Sequence, residues 1–334
     1  MVDNHMTHSH ARILLKAFFI VAALAMSFCF HAAAYAEYPE RQITFIVCFP
    51  AGGSTDIAAR LVSSPLGEEM GQSVIVENRS GAGGNIGILA VARAVPDGHT
   101  LLVTSSAFVV NPSLYQHAGY DPFKDFVPIM GIATSPNVFV VPAHSDVHAI
   151  SDLISKAKAN PGKLNWASPG VGTTPYLAGE LLKLRAGIDM VHVPFRGAGP
   201  ASIAAMAGQV DMYAASLGSV MALINSGEVR PIAVTSKQRW LDIPNVPTLE
   251  EVGIANAVSD TFQAIYAPVG TPRGIEDRLV KALRSLLGRP DIREKFRQVG
   301  LSVTAEDPEA LKARIVREVP MYKEIIETMG LEIK

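Results

Sequence analysis

Cysteine is scarce in this chain. Of 334 residues only Cys29 and Cys48 are cysteine, and Cys29 falls in a leader that reads as removable, so the remaining thiol has no internal disulfide partner. Cys48 sits within an apolar run and reads as a small buried hydrophobe. Aromatics make up 7% of the residues and charged side chains 18%, with a formal net charge of -2 and no run of lysine or arginine. That balance excludes the basic footprint of a nucleic-acid binder and of a protein drawn to anionic membranes.

Catalytic signatures are missing as well. The sequence has no His-Glu-x-x-His, no Gly-x-Ser-x-Gly and no Lys-Ser or Lys-Thr phosphate loop. The stretch Gly81-Ala82-Gly83-Gly84-Asn85-Ile86-Gly87 has the wrong glycine spacing for a dinucleotide fingerprint. His144 and His148 are four apart but precede the helix expected from Ser151, so they do not form a helical metal pair. His192 reads as a strand histidine, and no nucleophile–base pair stands out. No cofactor and no metal are expected.

What is present begins with a leader. Arg12 and Lys16 precede an apolar run over residues 17–30, and Ala34-Tyr35-Ala36 comes just before polar Glu37. This is the pattern of an export signal with its cleavage site, and the run is too short to span a bilayer comfortably. A lipoprotein reading at Cys29 is disfavoured by bulky Phe28. Residues 1–36 are therefore expected to be a signal peptide, and the mature chain to be periplasmic.

Beyond residue 37 short apolar runs alternate with segments of helical period. Strands are predicted over 42–49, 73–77 and 100–105 and helices over 55–70 and 85–95, the signature of a parallel sheet covered on both faces. Five prolines between residues 111 and 142 break the rhythm and read as a passage toward a second unit. The alternation then resumes. A helix over 151–160 has Ser151 as its expected cap, and strands are expected at 163–167, 190–193, 210–216 and 229–235. Helices follow the turns at 168–174 and 194–200. A strand over 261–267 leads into a remainder read as mostly amphipathic helix, broken at 288–290 and 307–308. The composition suits two α/β units, each with a glycine-bearing turn from strand to helix.

Those turns carry the chemistry. In Pro50-Ala51-Gly52-Gly53-Ser54-Thr55 a buried strand ends and a helix begins, so the first backbone N–H groups lack intrahelical partners and the positive end of the helix dipole faces outward. Glycine removes side chains that would block close approach, and the hydroxyls either cap the helix or reach a ligand. Gly170-Val171-Gly172-Thr173-Thr174 and Phe195-Arg196-Gly197-Ala198-Gly199 repeat the arrangement. Several such ends in one cleft would hold a carboxylate without any fixed positive charge. Four to six charge-assisted hydrogen bonds of roughly 1.5–3 kcal/mol each, less an association cost of at least about 4 kcal/mol, reach about -8 kcal/mol, the micromolar regime.

The strings ITFIVCFPAGGSTDIAARLV, VIVENRSGAGGNIG, PDGHTLLVTS, GVGTTPYLAGELL, VHVPFRGAGPA, GQVD, RPIAVTS, VPTLEEVG and APVGTPRGI stand in this order. Together they resemble the Bug family, the substrate-binding receptors of tripartite tricarboxylate transporters. The resemblance implies a type II periplasmic binding protein: two α/β lobes with mixed, mostly parallel sheets, residues 37–136 with 261–334 and residues 137–260, joined by a crossing-strand hinge. It implies capture of a small organic carboxylate by a monomer for membrane permease subunits, without catalysis or nucleic acid.

By position it assigns ligand contacts to Phe49, Ala51, Gly52, Gly53, Ser54 and Thr55, with Asp56 at the edge, and to Gly172, Thr173 and Thr174. Phe195, Arg196, Gly197 and Ala198 lie beside these, and Thr104 and Ser216 stand at strand ends that the distal part of a ligand would touch. Cys48, Tyr176 and Phe262 depart from the family's usual proline, histidine and tryptophan. Tyr176 and Phe262 either reshape the far wall or pack as core bulk. Asp56 either compensates the helix dipole or receives a ligand amine or hydroxyl, and Arg196 either pairs with the ligand or lies solvated. Two other readings stay open: a ligand sensor docking on a signalling protein, and an α/β hydrolase or transferase using the turns as an oxyanion hole, which needs a base near Ser54 or Thr173 that the sequence does not supply.

Overall fold

The computed structural model describes residues 38–255, 257 and 259–332; the expected signal peptide lies outside them. From residue 41 onward the described residues fold as one unit. Its first strand, β1 (Ile43–Val47), is buried along nearly its whole length, as suits a continuous apolar run in a parallel sheet. Helix α1 (Ser54–Met70) turns Ala58, Val62, Leu66 and Met70 inward at helical spacing and stops where Gly71, at φ 75°, donates its N–H to the Gly67 carbonyl. Strand β2 (Val74–Asn78), helix α2 (Asn85–Ala92), strand β3 (Thr100–Ser105) and helix α3 (Ala107–Leu114) follow, with β2 and β3 parallel to β1 on either side.

The proline-rich passage is structured. Most of it is one 17-residue strand, β4 (Phe126–Pro142), and its prolines sit where a strand can spare an N–H. Pro128 stands at a register shift, Pro142 at the strand end, and Pro136 at the point where β4 changes partners. Pro112 lies inside α3 and cannot donate to the carbonyl of Phe108, which instead accepts from the Tyr120 hydroxyl at 3.0 Å.

The second run comprises α4 (Ile150–Ala159), β5 (Asn165–Ser168), α5 (Thr174–Ala186), β6 (Val191–Pro194), α6 (Ala198–Met206), β7 (Met212–Ser216), α7 (Leu217–Asn225) and β8 (Val229–Val234). Ser151 is not the cap of α4: the helix begins one residue earlier, and the Asp152 carboxylate accepts from the backbone N–H groups of His148 and Ala149. The return strand β9 (Asp260–Pro268) precedes α8 (Arg273–Gly288), α9 (Pro290–Gln298), β10 (Ser302–Glu306) and α10 (Pro308–Met329). Strand β10 is an element that the mostly helical reading of that tail did not include. It is partly buried on both faces, so it leaves no alternating pattern in the sequence.

The sheet runs β2-β1-β3-β9-β4-β7-β5-β6, with β10 and β8 also pairing to β4. Its outer pairs, β1 with β2 and β3, and β5 with β6 and β7, are parallel as expected. All pairs made by β4 and β9 are antiparallel. Strand β4 pairs with β9 and β10 through Pro136, and with β7 and β8 from Asn137 onward. Polar groups tie this crossing: Asn137 donates to the Ser259 carbonyl at 2.9 Å and accepts from the Thr261 hydroxyl at 3.1 Å, while its own N–H donates to Thr235 Oγ1 at 2.9 Å. Two apolar cores pack against the sheet, and the one that contains Phe108, stacked against Tyr266 at 4.3 Å, runs from β1 and β3 past the crossing to Trp166 of β5. The topology carries the strand ends that open helices α1, α5, α6 and α7 to one place.

Candidate functional site

The first of these ends is Gly53, which caps α1 with φ -78° and ψ 161° and no side-chain hydrogen bond. Ile57 is the first residue to bond back, to the Gly53 carbonyl at 3.0 Å, so the N–H groups of Ser54, Thr55 and Asp56 have no intrahelical acceptor. Among the described residues nothing bonds to the Ser54 or Thr55 hydroxyls either, although both residues are buried. Asp56 does not face a cavity. Its carboxylate accepts from Gly52 N–H at 3.0 Å, Asn78 Nδ2 at 2.9 Å and Arg60 Nε at 3.0 Å. Burial alone would raise this carboxyl, but the hydrogen bonds from Arg60, Gly52 and Asn78 outweigh it and hold it below the usual carboxylate range. Asp56 is thus a strut that fixes the turn, and Gly52 spends its N–H on that strut.

At the second end Thr173 caps α5. Its hydroxyl donates to the Gly170 carbonyl at 2.7 Å and accepts from Tyr176 N–H at 3.4 Å, so the capping reading holds for this residue. Thr174 shares a short hydrogen bond with Thr261 of β9. Gly172, at φ 89°, faces α3: a Cβ there would lie 2.8 Å from Asn111 Oδ1. Beneath the turn the structure joins two residues that the sequence did not link. The fully buried Ser168 hydroxyl lies 2.8 Å from His192 Nε2 and accepts from Gly170 N–H at 3.2 Å. Burial, helped by Lys183, pushes the imidazole down to about 4. A serine sealed inside the protein offers no nucleophile, and the pair instead braces the turn. Tyr176 packs as core: it stacks on Trp166 and lies 4.9 Å from the His192 ring.

The third end, Gly197 before α6, is bound to the second through Gly197 N–H to the Pro169 carbonyl at 2.9 Å. It also touches the first. At φ 109°, with Pro50 Cγ only 2.7 Å from where a Cβ would sit, Gly197 admits no side chain. The fourth end is Ser216, where β7 passes into α7; the Ser219 hydroxyl donates to its carbonyl at 2.7 Å. Ser216 is 5% exposed, and its hydroxyl has no hydrogen-bond partner among the described residues.

These four ends share one inner cavity of about 50 Å³. Gly53, Ser54 and Thr55 reach it from α1, Thr173 and Thr174 from α5, Gly197 and Ala198 from α6, and Ser216 and Ser219 from α7, with Phe49, Ser105, Thr261 and three prolines also in the wall. Among the described residues no charged side chain lines it. A second, outer cavity of about 640 Å³ holds Phe195 and Arg196, with the residue 80–84 loop and Tyr115, and shares Phe49, Pro50, Pro169, Thr173 and Gly197 with the inner one.

Of the expected contacts, Ala51, Gly52, Asp56, Gly172, Tyr176 and Thr104 line neither cavity. Thr104 is fully buried and accepts from the Cys48 thiol at 3.0 Å; its neighbour Ser105 lines the inner cavity, because successive strand side chains point to opposite faces. Phe262 is buried under the Arg314 guanidinium, 5.0 Å from its ring centroid, and is core. Sequence reasoning missed Ser219 and helix α7. The available signal was Ser216-Leu217-Gly218-Ser219, a further hydroxyl and glycine turn after a predicted strand.

A family model described as tripartite tricarboxylate transporter family receptor matches residues 58–331. The chain belongs to that family. Among its relatives, a UPF0065 protein from the tcbD-tcbE intergenic region of Pseudomonas sp. strain P51 is 40% identical over 290 residues, 86% of each chain. The structure of R. palustris Rpa4515 with adipate is similar at a TM-score of 0.86 and 32% identity, covering 89% of this chain and 99% of that one. The periplasmic binding protein BugD matches at a TM-score of 0.85 and 34% identity, covering 89% and 100%. As a member of this receptor family the chain has the α/β architecture of its periplasmic solute-binding proteins.

Proposed function

We propose that this receptor is exported to the periplasm by the leader over residues 1–36, acts as a monomer without catalysis, and captures a small organic carboxylate for the membrane subunits of a tripartite transporter. One carboxylate sits in the inner cavity. Residues 37–136 with 261–334 form one lobe and residues 137–260 the other, and they close about the β4 and β9 crossing.

The observation that carries this reading is the convergence of four helix N-termini on a cavity without charged side chains. Each such end favours an anion by about 0.3–1 kcal/mol, more when partly buried, and their spare N–H groups donate where a carboxylate oxygen needs them. The Ser54, Thr55 and Ser216 hydroxyls are the matching side-chain donors. The adipate held by a 32% identical relative supports a carboxylate as the ligand class. The sealed Ser168 and the absence of another base near the turns among the described residues support capture without turnover.

The test is a calorimetric and melting-temperature survey of aliphatic, hydroxy and aromatic carboxylates on the purified protein, with each compound recovered and weighed by mass spectrometry. Saturable binding of a carboxylate recovered intact is expected. Binding confined to amines or sugars, or chemical conversion of a bound acid, would refute the reading.

A further inference from the structure

Helix α7 is not capped by its own first residue. Ser216 precedes it with φ -75° and ψ 133°, the extended backbone of an N-cap, and a serine there ordinarily accepts from the second or third N–H of its helix. Thr173 does so at the start of α5, where its hydroxyl takes Tyr176 N–H. Ser216 does not. Its hydroxyl is buried in the wall of the inner cavity and has no hydrogen-bond partner among the described residues.

The second N–H of α7 is satisfied from another element instead. Gly218 N–H donates to the hydroxyl of Ser135 at 3.2 Å, and that hydroxyl donates to the Gly300 carbonyl at 3.0 Å, with the Pro136 carbonyl farther off at 3.4 Å. Ser135 is fully buried on β4 and lines neither cavity. It lies opposite Thr261 of β9, so the two side chains share one face of the sheet. The fit at this point is close. A Cβ at Gly218 would lie 3.0 Å from Leu301 Cδ2 and 3.3 Å from Ser54 Cβ, and one at Gly300, at φ 74°, would lie 3.0 Å from Leu217 Cγ. Glycine at both positions lets the start of α7 settle on the turn between α9 and β10, within reach of Ser135.

We infer that Ser135 is a positioning residue for the ligand: by capping α7 from β4 it relieves Ser216 of that task and leaves the Ser216 hydroxyl in the cavity wall, free to donate to a carboxylate. This rests on the inner cavity being the carboxylate site. Ser135 acts only through Gly218 N–H. Without its hydroxyl a buried N–H is left without an acceptor, and rotation of the Ser216 side chain onto the first turn of its own helix removes that penalty. The same rotation withdraws Ser216 from the anion.

The experiment is a double-mutant cycle on the full protein with Ser135→Ala, Ser216→Ala and the two together, read in two ways. One is titration calorimetry with adipate, malate and benzoate as probes, the tightest carried through the cycle; the other is the melting temperature without ligand. In binding, each single variant is at least about tenfold weaker than wild type, and the double variant is no weaker than either, because both changes take the same hydroxyl from the anion. In stability the pattern reverses. Ser135→Ala alone melts within about 1 °C of wild type, whereas on the Ser216→Ala background it lowers the melting temperature by at least about 2 °C, since no hydroxyl is then left to cap α7. Wild-type affinity in either single variant overturns the inference and leaves the carboxylate site standing. Additive losses of affinity overturn it too, as does a Ser135→Ala protein that melts far below wild type or does not fold, because Ser216 has then not taken over the cap. A wild-type protein that binds none of the three probes, nor any other acid of the survey above, refutes the carboxylate site and this inference with it.

Discussion

Replacing Ser216 by alanine should move stability and affinity in opposite directions. Its hydroxyl is buried, has no partner among the described residues and belongs to a residue lining the inner cavity. In the unliganded protein a buried hydroxyl without a partner costs about 1–3 kcal/mol, so Ser216→Ala should melt at or above the wild-type temperature. In the complex the same hydroxyl donates to a carboxylate, and a hydrogen bond to a charged group is worth roughly 1.5–3 kcal/mol. Its loss corresponds to an affinity about 10- to 150-fold weaker. The pair of measurements is a melting curve without ligand and a calorimetric Kd for the best carboxylate. A Kd within twofold of wild type would show that the hydroxyl does not face the anion, and would remove α7 from the site.

Gly53→Val places its Cβ in ordinary backbone geometry, with only the Pro50 carbonyl oxygen nearby at 3.6 Å, so the protein should fold normally while the branched side chain fills the cavity; calorimetry should find no carboxylate binding, and retained affinity would take the anion elsewhere. Thr173→Val breaks the cap of α5 and should lower stability by about 1 kcal/mol, with Thr173→Ser restoring it; an unchanged melting temperature would contradict the capping role. His192, held neutral with a folded value of about 4 against 6.5 unfolded, contributes stability that is complete above pH 6.5 and is lost as pH falls toward 4, because the unfolded chain binds the proton first. His192→Asn should flatten the melting-temperature profile across that window, and a profile with the wild-type slope would show that another group carries it.

Much of this could be read from residue order alone, and the failures have physical causes. Strands β1 and β3 and helix α1 announce themselves because buried parallel strands are uniformly apolar and the helix repeats its buried face. Strand β4 hides behind its prolines, which mark loops in most settings and here occupy a bulge, a change of partners and a strand end. The chemistry of the turns is local, so the uncapped ends at Gly53 and Gly197 follow from glycine and hydroxyl placement. Which groups remain free is not local. Thr173 looks as available as Thr55 in the sequence, yet its hydroxyl is taken by Gly170 and Tyr176, and the carboxylate of Asp56 is consumed by Gly52, Asn78 and Arg60. Ser168 and His192, 24 positions apart, meet only because β5 and β6 run side by side.

The central claim is that backbone N–H groups at several helix starts, without a fixed charge, hold the anion's inner carboxylate. Its most direct measurement is a titration of 15N-labelled protein with the best-binding carboxylate, following the amide resonances of Ser54, Thr55, Thr174 and Ala198. The account predicts that these four protons shift downfield together and saturate at one Kd, as amides that gain a charged acceptor do. Amides that stay fixed while the ligand saturates, or shifts gathered around a lysine or arginine cluster elsewhere, would contradict it.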